Sequence, residues 1–255
     1  MLPALGYADA ARYAWPIFRR LRDEGVIARG TRFQVSLATV TAGLALFAPD
    51  VTDAVRPAYA RRLRAELDDI LNLVPSEDLA IQWDVAVEMG MIEGAFPLPF
   101  DPFDIVIGQL GELSGWVPAE VPLGYHLCYG DAQEVAGEGE GRHFKQPADT
   151  ATLVRVANAV TAASRRPLQW FSFPVPIDRD DDAYFAPLAG LALHPGCRLF
   201  LGLVHHQDGV EGTQRRIETA KRHVTEFGVS TECGMGRKPA ELTPTLLRVH
   251  RDVTV

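Results

Sequence analysis

Short apolar runs of strand length alternate along the chain with segments whose apolar residues recur at helical spacing. The strand candidates are residues 32–38, 79–84, 122–128, 167–174, 199–205 and 226–231. Most read as unbroken apolar stretches, as Leu199-Phe-Leu-Gly-Leu-Val204 does, which is the pattern of strands buried on both faces of a parallel sheet. The helical candidates are residues 7–24, 54–72, 101–113, 149–164 and 212–225. In the second of these, Leu63, Leu67, Ile70 and Leu71 fall on one stripe, with Arg61, Arg62, Arg64 and Asp68 elsewhere. Asp101 before Pro102 is a helix-start signal. Strict alternation of strand and helix predicts a parallel α/β sheet with right-handed crossovers.

Six strands are visible, whereas a closed (β/α)8 TIM barrel has eight. The expectation is therefore one domain over residues 1–255, a TIM-type barrel lacking its first one or two βα units, with a leading helix that follows no strand. An open, doubly wound six-stranded sheet is the alternative. Residues 131–149 break the pattern, being polar and rich in glycine around Gly137-Glu-Gly-Glu-Gly141 and Arg142-His143. On a barrel such a segment follows a strand on the catalytic rim, where it reads as a lid.

The chain has 255 residues, 47% of them hydrophobic, enough to bury one large core. A net charge of −8 carries no electrostatic footprint for nucleic acid or an anionic membrane. Residues 35–47 are largely apolar but too short to span a bilayer, and the first eleven residues do not have the pattern of a signal peptide. Three cysteines do not make a disulfide framework. Reduced thiols in a cytoplasmic protein are the expectation, and they are free to bind metal.

The strand around Leu123 ends in His126-Leu-Cys128. Residues two apart in a strand point to one face, so this imidazole and thiol aim at a common point. Cys233 lies just after the last predicted strand, and all strand C-termini of a barrel share one rim. One imidazole and two thiolates suit Zn2+ with a fourth position open. Cys197 precedes its strand and belongs to the opposite, structural end. Asp84 ends a buried strand, a position that reads as site rather than scaffold.

Several of these segments resemble the C-terminal catalytic barrel of cobalamin-independent methionine synthase and of the related epoxyalkane–coenzyme M transferases. His126-Leu-Cys-Tyr-Gly-Asp131 is similar to the family's His-x-Cys-Tyr zinc strand, and Thr231-Glu-Cys-Gly-Met-Gly-Arg237 to its final Cys-Gly motif. Ile81-Gln-Trp-Asp84 resembles the Gln-x-Asp strand end that faces substrate, and Gly202-Leu-Val-His-His206 falls where the family has a catalytic histidine. The segments keep the family's order from Phe33 onward. There are departures. The strand between the zinc motifs, Gln169-Trp-Phe-Ser-Phe-Pro-Val-Pro176, lacks the glutamate ligand of methionine synthases, and Val85 stands where a Glu follows the Asp. The resemblance thus implies a three-ligand zinc site at His126, Cys128 and Cys233, and transfer of an alkyl group to or from a small-molecule thiol, or carbon–sulfur cleavage, more than methionine synthesis itself.

In that chemistry His205 or His206 is the candidate proton donor, because histidine titrates near neutral pH, and Asp84 the candidate orienting carboxylate. Glu88, Tyr129, Asp131 and Arg179 are candidates for contact with substrate or alkyl donor. Glu88 reads equally as a helix-start charge, and Glu232 as support for Cys233 or as a surface residue. The run Asp178-Arg-Asp-Asp-Asp182 reads as charge at a helix start rather than as an oxygen-ligand metal site. Two other readings stay open: a barrel lyase without thiol chemistry, of the uroporphyrinogen decarboxylase kind, and an inert small-molecule-binding relative. Exposed strand edges on an incomplete barrel would favour a homo-oligomer.

Overall fold

In the computed structural model the six apolar runs form one sheet of parallel strands, hydrogen-bonded in the order β1 to β6. They are β1 (Phe33–Ala38), β2 (Leu79–Val85), β3 (Leu123–Leu127), β4 (Trp170–Pro174), β5 (Arg198–Val204) and β6 (Gly228–Thr231). The structure describes residues 2–45, 49–130, 145–233 and 235–254. Asp131, His143 and most of the glycine-rich segment lie outside the described residues.

Sequential order decides the topology. A doubly wound sheet reverses its strand order at a switch point. This sheet never reverses, so right-handed crossovers carry every helix to the same side. The sheet curls into a half-barrel with helices outside and a concave face inside. The described residues do not form a full barrel, and β1 and β6 are its two edges.

The helices are α1 (Tyr7–Asp23), α2 (Val40–Leu44), α3 (Pro49–Leu73), α4 (Val87–Ile92), α5 (Phe103–Ser114), α6 (Ala151–Ala163), α7 (Asp182–Phe185), α8 (Gly209–Ala220) and α9 (Thr243–Val253). Of the predicted stripe on α3, Leu63, Leu67 and Ile70 are fully buried and Leu71 is partly buried at its margin. The Asp101 carboxylate accepts the Phe103 N–H at 3.0 Å where α5 begins. Sequence reading missed α2 and α4, which are under two turns long, and α9. Among the described residues no helix is long and apolar enough to cross a membrane.

The strands are less uniformly apolar than their sequences suggest. Val35, Leu37, Ile81, Trp83, Tyr125, Phe171, Leu199 and Leu201 face the helices and are buried. Their alternates, including Gln34, Ser36, Gln82, Asp84 and His126, line a concave cavity of about 890 Å³. Pairing sets these in tiers. Ser36, Gln82, Gly124, Trp170 and Arg198 share one level, and Ala38, Asp84, His126, Ser172 and Phe200 the next. A closed barrel fills its interior with such side chains; here they meet an open cleft.

Candidate metal centre

The cluster begins with strand parity. Asp84 and His126 are register partners on β2 and β3, and both point into the cavity. Cys128 lies just past the end of β3, where its N–H donates to the Val85 carbonyl at 2.9 Å. The Gly130 N–H donates to the Cys128 sulfur at 3.3 Å, fixing it at the rim. Cys233 arrives from the far edge. After β6 the chain crosses over β5 at Gly202, where an added Cβ would stand 2.6 Å from the Glu232 Cα. Only a residue without a side chain lets the backbone pass so closely.

The result is that a ring nitrogen of His126 and the sulfurs of Cys128 and Cys233 lie within 4.8 Å of one another. The two sulfurs are 3.0 Å apart, and none of the three cysteines is in a disulfide. Burial disfavours a charged His126, but the hydrogen bond and charge of Cys233, Asp84 and the Ser172 carbonyl outweigh it and raise its pKa. Both Cys233 and the Ser172 backbone favour the protonated ring. A ring nitrogen within reach of two thiols, with a backbone carbonyl beside the ring, suits a metal-ligating histidine. Cys128 is raised well above the ordinary thiol range, first by its hydrogen bond to Cys233 and then by burial. Two thiols beside an imidazole, with two carboxylates nearby, form a donor set that fits a soft divalent ion.

Trp170 braces the tier below. Its indole lies where a Cβ on Gly124 would be, and its N–H donates to Gln82 Oε1 at 3.1 Å. The Gln82 amide donates to Asp84 at 2.9 Å and to Ser36 at 3.2 Å. This chain holds the Asp84 carboxylate level with His126. Sequence reading missed Trp170 and Ser172; the lone glycine in an otherwise apolar strand was the available sign of a close approach.

The other sequence-derived candidates scatter. His205 and His206 both follow the end of β5, and neither lines the cavity. His205 is buried, with Nε2 2.9 Å from the Val175 carbonyl and Nδ1 3.8 Å from Glu232 Oε2. Burial lowers its pKa, so the ring is neutral near pH 7. Glu232 does line the cavity and connects His205 to it. Tyr129 is buried, its phenol pushed up by burial, and lies outside the cavity lining. Glu88 is buried outside the concave cavity, hydrogen-bonded to Thr39, with its carboxyl pushed up to about 7 by burial. Arg179 pairs with Asp181 at 2.9 Å and stacks 4.7 Å from the Tyr184 ring centroid.

The acidic run divides among separate partners: Asp180 with Arg215, Asp181 with Arg179, and Asp182 with Arg222 and His223. Asp181 also caps α7. Among the described residues the only cluster suited to a metal is His126, Cys128 and Cys233. Cys197 sits at the N-terminal end of β5, at the far end from the cluster, its thiol pushed up to about 12 by burial.

No protein-family model matches the chain. No curated protein matches it either. Among solved structures, a Listeria monocytogenes protein described as a candidate vitamin-B12 independent methionine synthase superposes with a TM-score of 0.52 at 15% identity. The fold is methionine synthase-like. The match takes in 87% of this chain, which spans 64% of the length of that protein. At this identity the likeness establishes the fold and leaves the chemistry to the residues.

Proposed function

We propose that residues 1–255 form one methionine synthase-like domain that binds Zn2+ through His126, Cys128 and Cys233 and transfers an alkyl group to or from a small-molecule thiol, or cleaves the corresponding carbon–sulfur bond. The observation that carries this reading is the convergence of three soft donors, from β3 and from beyond β6, at the rim of a polar cleft. Held by His126, Cys128 and Cys233, zinc would supply the positive charge that keeps a thiol deprotonated at neutral pH.

The chain's own groups do the rest. Ser172 and Cys233 orient His126. Asp84, held by Gln82, faces the cavity beside the donors and orients the substrate. The proton shed by the incoming thiol needs an acceptor. His205 donates through Nε2 to Val175, which leaves Nδ1 turned toward Glu232, so the pair takes up that proton at the cavity wall. His205 thus acts through Glu232, as a base during thiol entry and as the acid when a leaving group needs a proton. The alkyl donor occupies the rest of the cleft. A dithiol site of this kind implies reducing, cytoplasmic surroundings.

The test is metal analysis of protein purified without chelators, followed by a screen for thiol consumption with alkyl donors. The expected result is about one zinc per chain, as in three-ligand sites, and its loss in Cys128→Ser. Protein that neither carries nor takes up metal would remove the basis of this reading.

A further inference from the structure

We infer that Cys128 and Cys233 form a reversible oxidation site, closing to a disulfide that ties the central strand β3 to the far edge of the sheet. The inference stands on the placement of the sulfurs and holds whether or not metal binds. The two atoms are 3.0 Å apart. A disulfide brings sulfurs to about 2.05 Å, so closure asks for a movement of about 1 Å. Tetrahedral coordination at about 2.3 Å from a zinc centre separates two sulfurs by about 3.8 Å. The observed spacing lies between the two states, and a small displacement reaches either one.

The partners are unequal in a way that suits stepwise oxidation. Cys233 lines the cavity and is the sulfur an oxidant meets, whereas Cys128 is buried behind it. Cys128 is held by the Gly130 N–H at the end of an inner strand. Cys233 follows β6, an edge strand whose pairing with β5 is already shifted between Leu201 and Val204, so it is the partner that moves. Cys197, at the opposite end of β5, has no place in the reaction.

With a peroxide as oxidant the chemistry balances. The Cys233 sulfur attacks one peroxide oxygen, the O–O bond breaks, and a sulfenic acid and one water form. The Cys128 sulfur then attacks the sulfenic sulfur, the S–O bond breaks, and the second water leaves with the remaining thiol proton. Two electrons pass from the two sulfurs to the peroxide. A thiol reductant reverses the result by exchange. Because zinc and the disulfide claim the same sulfurs, oxidation and metal binding exclude one another.

The experiment treats chelator-washed, reduced full-length protein with one equivalent of hydrogen peroxide, then counts thiols in denaturant and maps peptides. The expected result is a fall from three titratable thiols to one, a peptide linking residues 128 and 233, and full recovery with dithiothreitol. In Cys128→Ser, Cys233 stops at the sulfenic acid and is trapped by dimedone. Formation of sulfinic acid on Cys233 with Cys128 still free would overturn the inference, as would a disulfide that involves Cys197 or joins two chains. A parallel sample preloaded with zinc separates the two readings. Linkage in the metal-free protein with no zinc uptake sinks the metal alone, and zinc uptake without linkage sinks the oxidation site alone.

Discussion

Glu88 is a residue whose cost the fold carries continuously. Thr39 donates to one of its oxygens, and the other, Oε2, is buried without a hydrogen-bond partner. Burial holds its carboxyl near 7, against 4.5 when free, with the Thr39 hydrogen bond and, more weakly, Arg56 pulling the other way. Between these values the folded chain keeps a proton that the unfolded chain has shed. Stability from this group therefore falls as pH rises from about 4.5 to about 7 and is flat above that. The full swing is on the order of 3 kcal/mol. Glu88→Gln keeps the Thr39 bond and cannot ionise. Urea unfolding at pH 5 and pH 8 should show the variant gaining on the natural protein at the higher pH; parallel losses in both would refute the assignment. Sequence alone offered Glu88 as a substrate contact or a helix-start charge, because nothing local signals that Thr39 lies beside it.

Arg216 is the opposite case, a buried charge whose three guanidinium nitrogens are all hydrogen-bonded. Its guanidinium donates to the Leu203 and Ile177 carbonyls and to both oxygens of Asp208. Replacing it with Met strands those acceptors and should cost about 3–5 kcal/mol, read from chemical denaturation. A loss below 1 kcal/mol would mean the clamp is redundant.

At the level of elements, the strands were legible because their outward residues alternate with turn signals and helical stripes. Which face was polar was not legible: Gln34 and Ser36 look like interruptions until the cleft gives them solvent. The crossing at Gly202 was equally hidden, since it depends on where β6 ends relative to β5. Gly202→Ala pushes the Glu232 backbone off β5 and disturbs the placement of the following cysteine. Zinc affinity should fall by about tenfold or more with little change in secondary structure, as when the supports of a metal ligand are disturbed. Competition with a chromogenic chelator measures it, and unaltered affinity would contradict the steric account.

For the whole molecule, βα alternation carried the architecture and the two cysteine motifs carried the donor set. The scatter of the remaining candidates was invisible, because proximity on a rim depends on which way each loop turns after its strand. Of the other candidates, only Asp84 and Glu232 join His126 and Cys233 in the lining of the cleft. The half-barrel leaves β1 and β6 unpaired with any further strand among the described residues. Parallel edges with free backbone groups recruit partners, so a dimer or larger species is expected in solution. Light scattering that returns the 28.0 kDa monomer at all concentrations would count against it.

The donors are also separated in time. Cys128 and Cys233 stand 105 positions apart, so a growing chain exposes the first histidine and thiol long before the last sulfur exists. On the proposed zinc reading, metal capture is a late event in maturation, completed only when the final strand docks. A refolding chain monitored by tryptophan emission and by a zinc dye should bury its indoles first and take up the ion afterwards.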